Sequence, residues 1–268
     1  MIETQETAGQ LLRQWRGRRR LSQLDLSAEA GISQRHLSFV ESGRARPSRE
    51  MVMRLCEQLD VPLRERNAVL VAAGHAPHYP QHPLDAPALS PAQTVIGQIL
   101  QGHLPHPALA VNRYWELQAA NAAIFALLDD VAPHLLEGTV NVLRLSMHPE
   151  GLAPRIVNFA EWRAYVLARL LHEVDQTADP RLLALHTELV ALPAPAHSQA
   201  MQPSPANPTQ IAVPLKLKSR HGPLTFLGTT TVFGTAVDVT LSEVAIEAFF
   251  PADPETAAAM TRLISEAG

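Results

Sequence analysis

The chain has 268 residues, 46% of them hydrophobic and 18% charged, with a formal net charge of −4. That is enough apolar mass for two cored domains, and it excludes a disordered or low-complexity chain. Cys56 is the single cysteine, which excludes an intramolecular disulfide and a cysteine-based zinc site. No signal pattern is visible at the N-terminus, and no apolar run approaches the ~20 residues of a membrane helix, so a cytoplasmic protein without membrane contact is expected. The total charge hides an asymmetry: residues 1–75 hold 12 arginines, no lysine and 9 acids, a net of +3, while the rest carries −7. A basic head on an acidic body points to a nucleic-acid-binding module joined to something else.

In chain order, residues 8–19 form a first helix with Leu11 and Trp15 inward and a run of arginines outward. Ser22 is a good N-cap for a second helix, with Leu24, Leu26 and Ala30 as its apolar positions. Gly31 ends it, and Ile32 fills the turn. Ser33 caps a third helix in which Leu37 and Val40 share one face, leaving Gln34, Arg35, His36, Ser38 and Phe39 on the others. Gly43 closes that helix, and Arg44 and Arg46 follow. Pro47 and Ser48 open a fourth helix with Met51, Leu55 and Leu59 inward, where Cys56 reads as a small buried apolar residue. Pro62 opens a fifth, with Leu63, Val69, Leu70 and Ala73, stopped by Gly74.

Two short helices around a glycine turn are the pattern of a DNA-binding helix-turn-helix. The stretch closely resembles the Cro/C1-repressor type, or xenobiotic response element (XRE) family. The residues that carry the resemblance are Leu21-Ser22-Gln23, Leu26, Ala30-Gly31-Ile32-Ser33, Leu37-Ser38, Val40-Glu41, Gly43 and Pro47-Ser48. Ser27 departs from the alanine usual in that family, a nearly isosteric change expected to cost little. Physics and resemblance assign the same roles. Ser33, Gln34, Arg35, His36 and Phe39 are the candidate base readers: Arg35 suits a guanine edge, Gln34 an adenine edge and Phe39 a thymine methyl. Ser22, Gln23, Arg44 and Arg46 are the candidate phosphate contacts. Glu41 is expected to brace the domain rather than meet anionic DNA.

Seven prolines lie between Pro77 and Pro107, so residues 77–94 read as a stiff extended linker. His75, His78 and His82 lack a carboxylate or cysteine at metal-ligand spacing, and no metal or other cofactor is expected.

The second domain begins with a helix over residues 90–100 and two strand-like stretches, Ala108 to Asn112 and Trp115 to Ala119. Asn121 is placed to cap a helix carrying Ile124, Phe125 and Leu128. Three helical segments follow, marked by Val142, Leu143 and Leu145, by Trp162 to Leu171, and by Leu182 to Val190. Residues 192–208 read as a proline- and alanine-rich loop. Three strands are then expected over 211–219, 224–235 and 243–253, before a short last helix. The predicted fold is therefore an all-α head of five helices over residues 1–76, the linker over 77–94, and an α+β PAS-like domain over 95–268 with an antiparallel sheet of about five strands. This part resembles the MmyB-like ligand-binding domain of bacterial regulators. The resemblance rests on Asn121, Asn141-Val142-Leu143-Arg144-Leu145, His148-Pro149-Glu150-Gly151-Leu152, Asn158 with Trp162, and Val237-Asp238-Val239-Thr240-Leu241 leading to Phe249-Phe250-Pro251-Ala252-Asp253. It implies a sensor for a small apolar molecule, a fatty acid being the best-supported kind.

Candidate pocket residues are Trp115, Phe125, Met147, Phe159, Trp162 and Phe226 for the apolar wall, with Arg144 and His148, four apart in a helical segment, as anchors for a carboxylate. Arg155 is a weaker anchor candidate. No nucleophile elbow, phosphate loop or HExxH motif appears, so no catalytic residues and no enzyme are expected. The leading expectation is a ligand-responsive regulator, a repressor in the simplest case, that binds a near-palindromic double-stranded operator as a homodimer. The alternative is a DNA-binding regulator whose C-terminal domain is a protein-interaction module.

Overall fold

A computed structural model describes residues 6–198 and 212–267. The chain divides into two compact units, Met1–Pro83 with Thr235–Ser242, and Leu84–Gly234 with Glu243–Gly268.

The N-terminal part of the first unit folds as five helices among the described residues: α1 (Ala8–Arg18), α2 (Gln23–Glu29), α3 (Gln34–Glu41), α4 (Arg49–Gln58) and α5 (Leu63–Ala72). Serines cap three of them, as the sequence indicates. Ser22, Ser33 and Ser48 each accept from the backbone N–H three residues on, and Ser22 forms a reciprocal capping box with Asp25. Gly31 and Gly43 take φ of +62° and +73°, a backbone conformation that side-chain-bearing residues rarely adopt. Leu12, Trp15, Leu26, Leu37, Val40, Val52, Leu55 and Leu59 make one core. The helix phases differ slightly from the expected ones: Leu12 rather than Leu11 is fully buried on α1, Val52 replaces Met51 on α4, and Leu24 is 60% exposed. Gly9 carries a constraint with no periodic signal. A Cβ there would lie 2.1 Å from the Val40 carbonyl oxygen, so α1 reaches α3 this closely only with glycine. Ser27 is buried and donates to the Leu24 carbonyl at 2.9 Å, so its extra hydroxyl is satisfied within its own helix. Cys56 is buried, and burial pushes its thiol up to about 12, the opposite of a reactive cysteine.

The start of the proline-rich stretch is not a free linker. The Asn67 amide on α5 accepts from the backbone N–H groups of His78 and Tyr79 and donates to the Tyr79 carbonyl. An amide side chain with both donor and acceptor thus pins the extended chain, and the first unit runs to Pro83.

The second unit is built on a five-stranded antiparallel sheet, the sheet of a PAS-like domain. Its strands are β1 (Ala108–Val111), β2 (Leu117–Ala120), β3 (Leu215–Ser219), β4 (Gly222–Val232) and β5 (Ala245–Pro251), in the order β2-β1-β5-β4-β3. Helix α6 (Ser90–Gly102) covers one face, packing Ile96 and Leu100 on Ala108, Ala110, Ile246 and Ala248. The other face carries Leu109, Val111, Leu215, Leu217 and Phe226. Over it lie α7 (Ala122–Phe125), α8 (Val142–Met147), α9 (Phe159–Thr177), α10 (Pro180–Ala191) and α12 (Pro254–Ala267); α11 (Val239–Ser242) belongs to the first unit. Trp115 was expected in the second strand but sits in the turn before it, at a φ of +62°. Its indole N–H to Glu173 (2.8 Å) and its carbonyl, taken by the Val142 N–H, hold it there. Of the strand expected over 211–219, Ile211 lies outside the described residues, as does most of the loop expected over 192–208.

Asn121 is fully buried at a junction of three elements. Its Oδ1 accepts from the N–H groups of Ala108 and Ile124, and its Nδ2 donates to the carbonyls of Leu100 and His106. Asn121→Leu leaves these groups without partners and is expected to cost about 2–3 kcal/mol. Urea unfolding of the variant checks this, and a loss below about 0.5 kcal/mol, the size of an ordinary surface change, contradicts it.

Candidate functional site

Two sites emerge, one in each unit. On the head, Ser33, Gln34 and Arg35 are exposed at the N-terminal end of α3, while Leu37 and Val40 anchor the helix from below. His36 and Phe39 are half-buried on the same helix. The guanidiniums of Arg35 and Arg44 lie 5.4 and 5.8 Å from the centre of the Phe39 ring. Phe39 therefore acts as a platform under two arginines. Two candidate phosphate contacts are committed within the domain. Gln23 donates to Glu41 at 2.8 Å, and Arg46 donates through Nε to the Ala73 carbonyl at the end of α5. Ser22 is the exposed cap of α2, and Arg44 is exposed after α3.

Helix α3 is held by a buried ion pair. Arg16 on α1 grips Glu41 on α3 with two hydrogen bonds of 2.7 and 2.9 Å, and the Glu41 side chain is 2% exposed. Burial pushes the Glu41 carboxyl up, but the hydrogen bonds from Arg16 and Gln23 and the charges of Arg16 and Arg13 outweigh it and hold it below the ordinary carboxylate value. A depressed carboxyl contributes stability that is present above its unfolded value and lost as pH falls through its folded one. Glu41→Gln is expected to melt at a lower temperature than wild type near pH 7 and to lose less on acidification from about pH 5 to about pH 3. A variant as acid-sensitive as wild type contradicts this assignment.

In the second unit a cavity of about 360 Å³ lies between the inner face of the sheet and the helices above it. That is within the range of small-molecule sites. Leu109, Leu117, Leu143, Leu145, Leu215 and Leu217 make much of its wall. Three of the expected wall residues, Trp115, Trp162 and Phe226, line it. Met147 and Phe159 do not; they are fully buried in the adjoining core. Phe125 is 56% exposed, at the last position of the four-residue helix α7.

The expected carboxylate anchors do not reach the cavity. Arg144 is paired with Glu188 on α10 through hydrogen bonds of 2.6 and 2.8 Å, in a shallow surface hollow elsewhere. His148 shares no helical face with it, because α8 ends at Met147 and His148 is extended (φ −73°, ψ 140°). Its Nδ1 instead accepts from the Glu150 N–H, fixing the turn. Arg155 donates to the carbonyls of Leu127 and Lys218, a structural role.

Apart from Ser146 on α8, most of the cavity's polar groups lie on α9 and the last two strands. Trp162, Tyr165, Val166 and Arg169 line it from successive turns of α9, and Gly228, Thr230, Glu247 and Phe249 from the sheet. Arg169 donates to both Glu247 oxygens at 3.2 and 2.7 Å and to Thr230 Oγ1 at 3.2 Å. Thr230 in turn donates to Glu247 at 3.0 Å. Burial pulls the Arg169 guanidinium down, but the Glu247 hydrogen bonds and charge, with Tyr165 and Glu173, raise it overall. Burial pushes the neighbouring Glu173 carboxyl up despite the Trp115 hydrogen bond. A helical wheel from Trp162 reaches Arg169 after seven residues, so the signal was present; Glu247 had none, being one acid in an apolar strand.

The described residues contain one group with metal-ligand geometry, His134, His148 and Glu150, with ligand atoms within 4.8 Å of one another. His134 and Glu150 are exposed, and the His148 ring is already oriented by its turn. No helix of the described residues is long and apolar enough to cross a membrane.

Comparison with known families finds a match in each unit. A family described as helix-turn-helix matches residues 12–66, and one described as the MmyB-like transcription regulator ligand binding domain matches residues 92–263. No curated protein matches the chain.

Proposed function

Because this chain belongs to the MmyB-like transcription regulators, we propose that its head reads double-stranded DNA through α3 and that its C-terminal cavity takes up a small, mostly apolar molecule of the fatty-acyl class. It is a ligand-responsive regulator with a helix-turn-helix and a ligand-binding domain. The observation that carries the reading is an apolar cavity of about 360 Å³ on the same chain as an exposed, arginine-bearing recognition helix. A single helix-turn-helix makes few base contacts, so a homodimer on a near-palindromic site is proposed. Repression relieved by ligand is the proposed sign, and no step in it is catalytic.

Chain connectivity supports a route between the two events. Segment Thr235–Ser242 continues from β4 into β5, the strands that carry Thr230 and Glu247, yet it is part of the head's compact unit. There Asp238 accepts from the His82 backbone N–H (3.2 Å) and lies 2.8 Å from its Nδ1, and Val239 donates to the Pro80 carbonyl. A ligand that fits one arrangement of β4 and β5 better than another biases that segment, and it acts only through such unequal affinity. Organic extraction of the purified full chain followed by mass spectrometry tests the sensor reading. One apolar compound per chain is expected; an extract without one, from a protein that also takes up none on titration, overturns it.

A further inference from the structure

We propose that the cavity selects an uncharged ligand, an apolar chain whose head is an ester-, lactone- or ketone-type acceptor rather than a free carboxylate, and that Glu247 sets this choice. The inference rests on the sensor reading above and narrows it to a ligand class.

The first support is the inventory of charge. Among the described residues the cavity wall carries one cation, Arg169, and one anion, Glu247. Residues 199–211 contain no Lys, Arg, His, Asp or Glu. The Arg169 guanidinium is already matched: Glu247 takes two of its hydrogen bonds and Thr230 another, and Nε lies 3.6 Å from Glu173. Its guanidinium carbon lies over the Trp115 ring, 4.5 Å from the ring centre. Two carboxylates surround this one guanidinium, so the trio carries a net negative charge, or none if Glu173 is protonated. A ligand carboxylate would enter a site with no net positive charge and compete with Glu247 for a bidentate partner. An uncharged head avoids that desolvation and repulsion.

The second support is an unmet donor. The indole Nε1 of Trp162 is buried and has no hydrogen-bond partner among the described residues. An indole N–H can only donate, so what it lacks is an acceptor. Trp162 and Arg169 are seven residues apart on α9, about 10 Å along the helix. Tyr165 and Val166, between them on the helix, and Phe249 and Gly228 on the sheet also line the cavity. A chain lying along α9 can therefore place a carbonyl at Trp162 while the neutralised Arg169–Glu247 end asks for no charge.

The test is calorimetric titration of the delipidated full chain near pH 7.5 with two probes of equal chain length, decanoate and methyl decanoate. The ester is expected to bind at least about tenfold more tightly. Glu247→Gln frees Arg169 and is expected to strengthen decanoate binding about tenfold while moving the ester by less than about threefold. Trp162→Phe is expected to weaken the ester about fivefold. If Glu247→Gln fails to fold, the apolar exchange Arg169→Met with Glu247→Leu replaces the whole pair and is expected to keep the preference for the ester. Decanoate binding as tightly as the ester in the wild type overturns the inference and leaves the sensor reading standing. So does an unchanged ratio in Glu247→Gln. Binding of neither probe, together with an empty extract, overturns both.

Discussion

Gly228→Leu is expected to abolish uptake of apolar ligands, a loss of at least about 100-fold, while DNA binding by the ligand-free chain stays as in wild type. Gly228 stands opposite Phe249 in the β4–β5 register and lines the cavity. A Cβ there would meet nothing nearer than the Phe249 ring at 3.8 Å, an ordinary contact. Its backbone is ordinary strand, so a side chain is accepted without strain, and leucine favours a strand more than glycine does. The added isobutyl group then occupies space within a cavity of only about 360 Å³. Ligand titration and circular dichroism together read the result. A variant that folds and still binds ligand with wild-type affinity shows that the ligand sits elsewhere.

The paired substitution Gln34→Ala with Arg35→Ala is expected to remove sequence preference on DNA, weakening the specific complex about 100-fold or more at fixed salt. Each side chain is exposed at the start of α3, and truncating a two-pronged base contact costs about 1–3 kcal/mol. Arg35→Ala alone is expected to relax preference at one base position. The salt dependence of the residual binding is expected to change little, because Arg44 and the other basic groups that hold phosphates remain. Phe39 also loses one of the two guanidiniums above it, so any loss of Arg44 order would appear as a shallower salt slope. Binding that weakens equally on all sequences would make these residues phosphate contacts instead.

Much of this architecture could be read from the chain because short-range chemistry specifies it. Serine caps, turn glycines and the three-four spacing of Leu37 and Val40 locate the helices of the head without tertiary knowledge. The strands showed through alternation, as in Leu215 and Leu217 against Lys216 and Lys218. What was not legible depends on contacts between distant residues. Gly9 looks like any helical glycine until α3 is packed against it. Gln23 and Arg46 look free until Glu41 and Ala73 are brought to them. The assignment of Arg144 and His148 to one helical face assumed a helix longer than the six residues of α8. The charged pair that reaches the cavity, Arg169 and Glu247, is 78 residues apart and becomes a pair only when α9 crosses the sheet.

The most direct test of a ligand-responsive regulator is the dissociation constant of the full chain for a duplex selected from a random pool. It is measured by fluorescence anisotropy at one fixed salt concentration, with and without a saturating amount of the tighter of the two C10 probes. The predicted result is DNA binding weakened by at least about fivefold when the cavity is filled, the lower end of energetic coupling between two sites. An unchanged dissociation constant, with the probe shown to be bound, would contradict it.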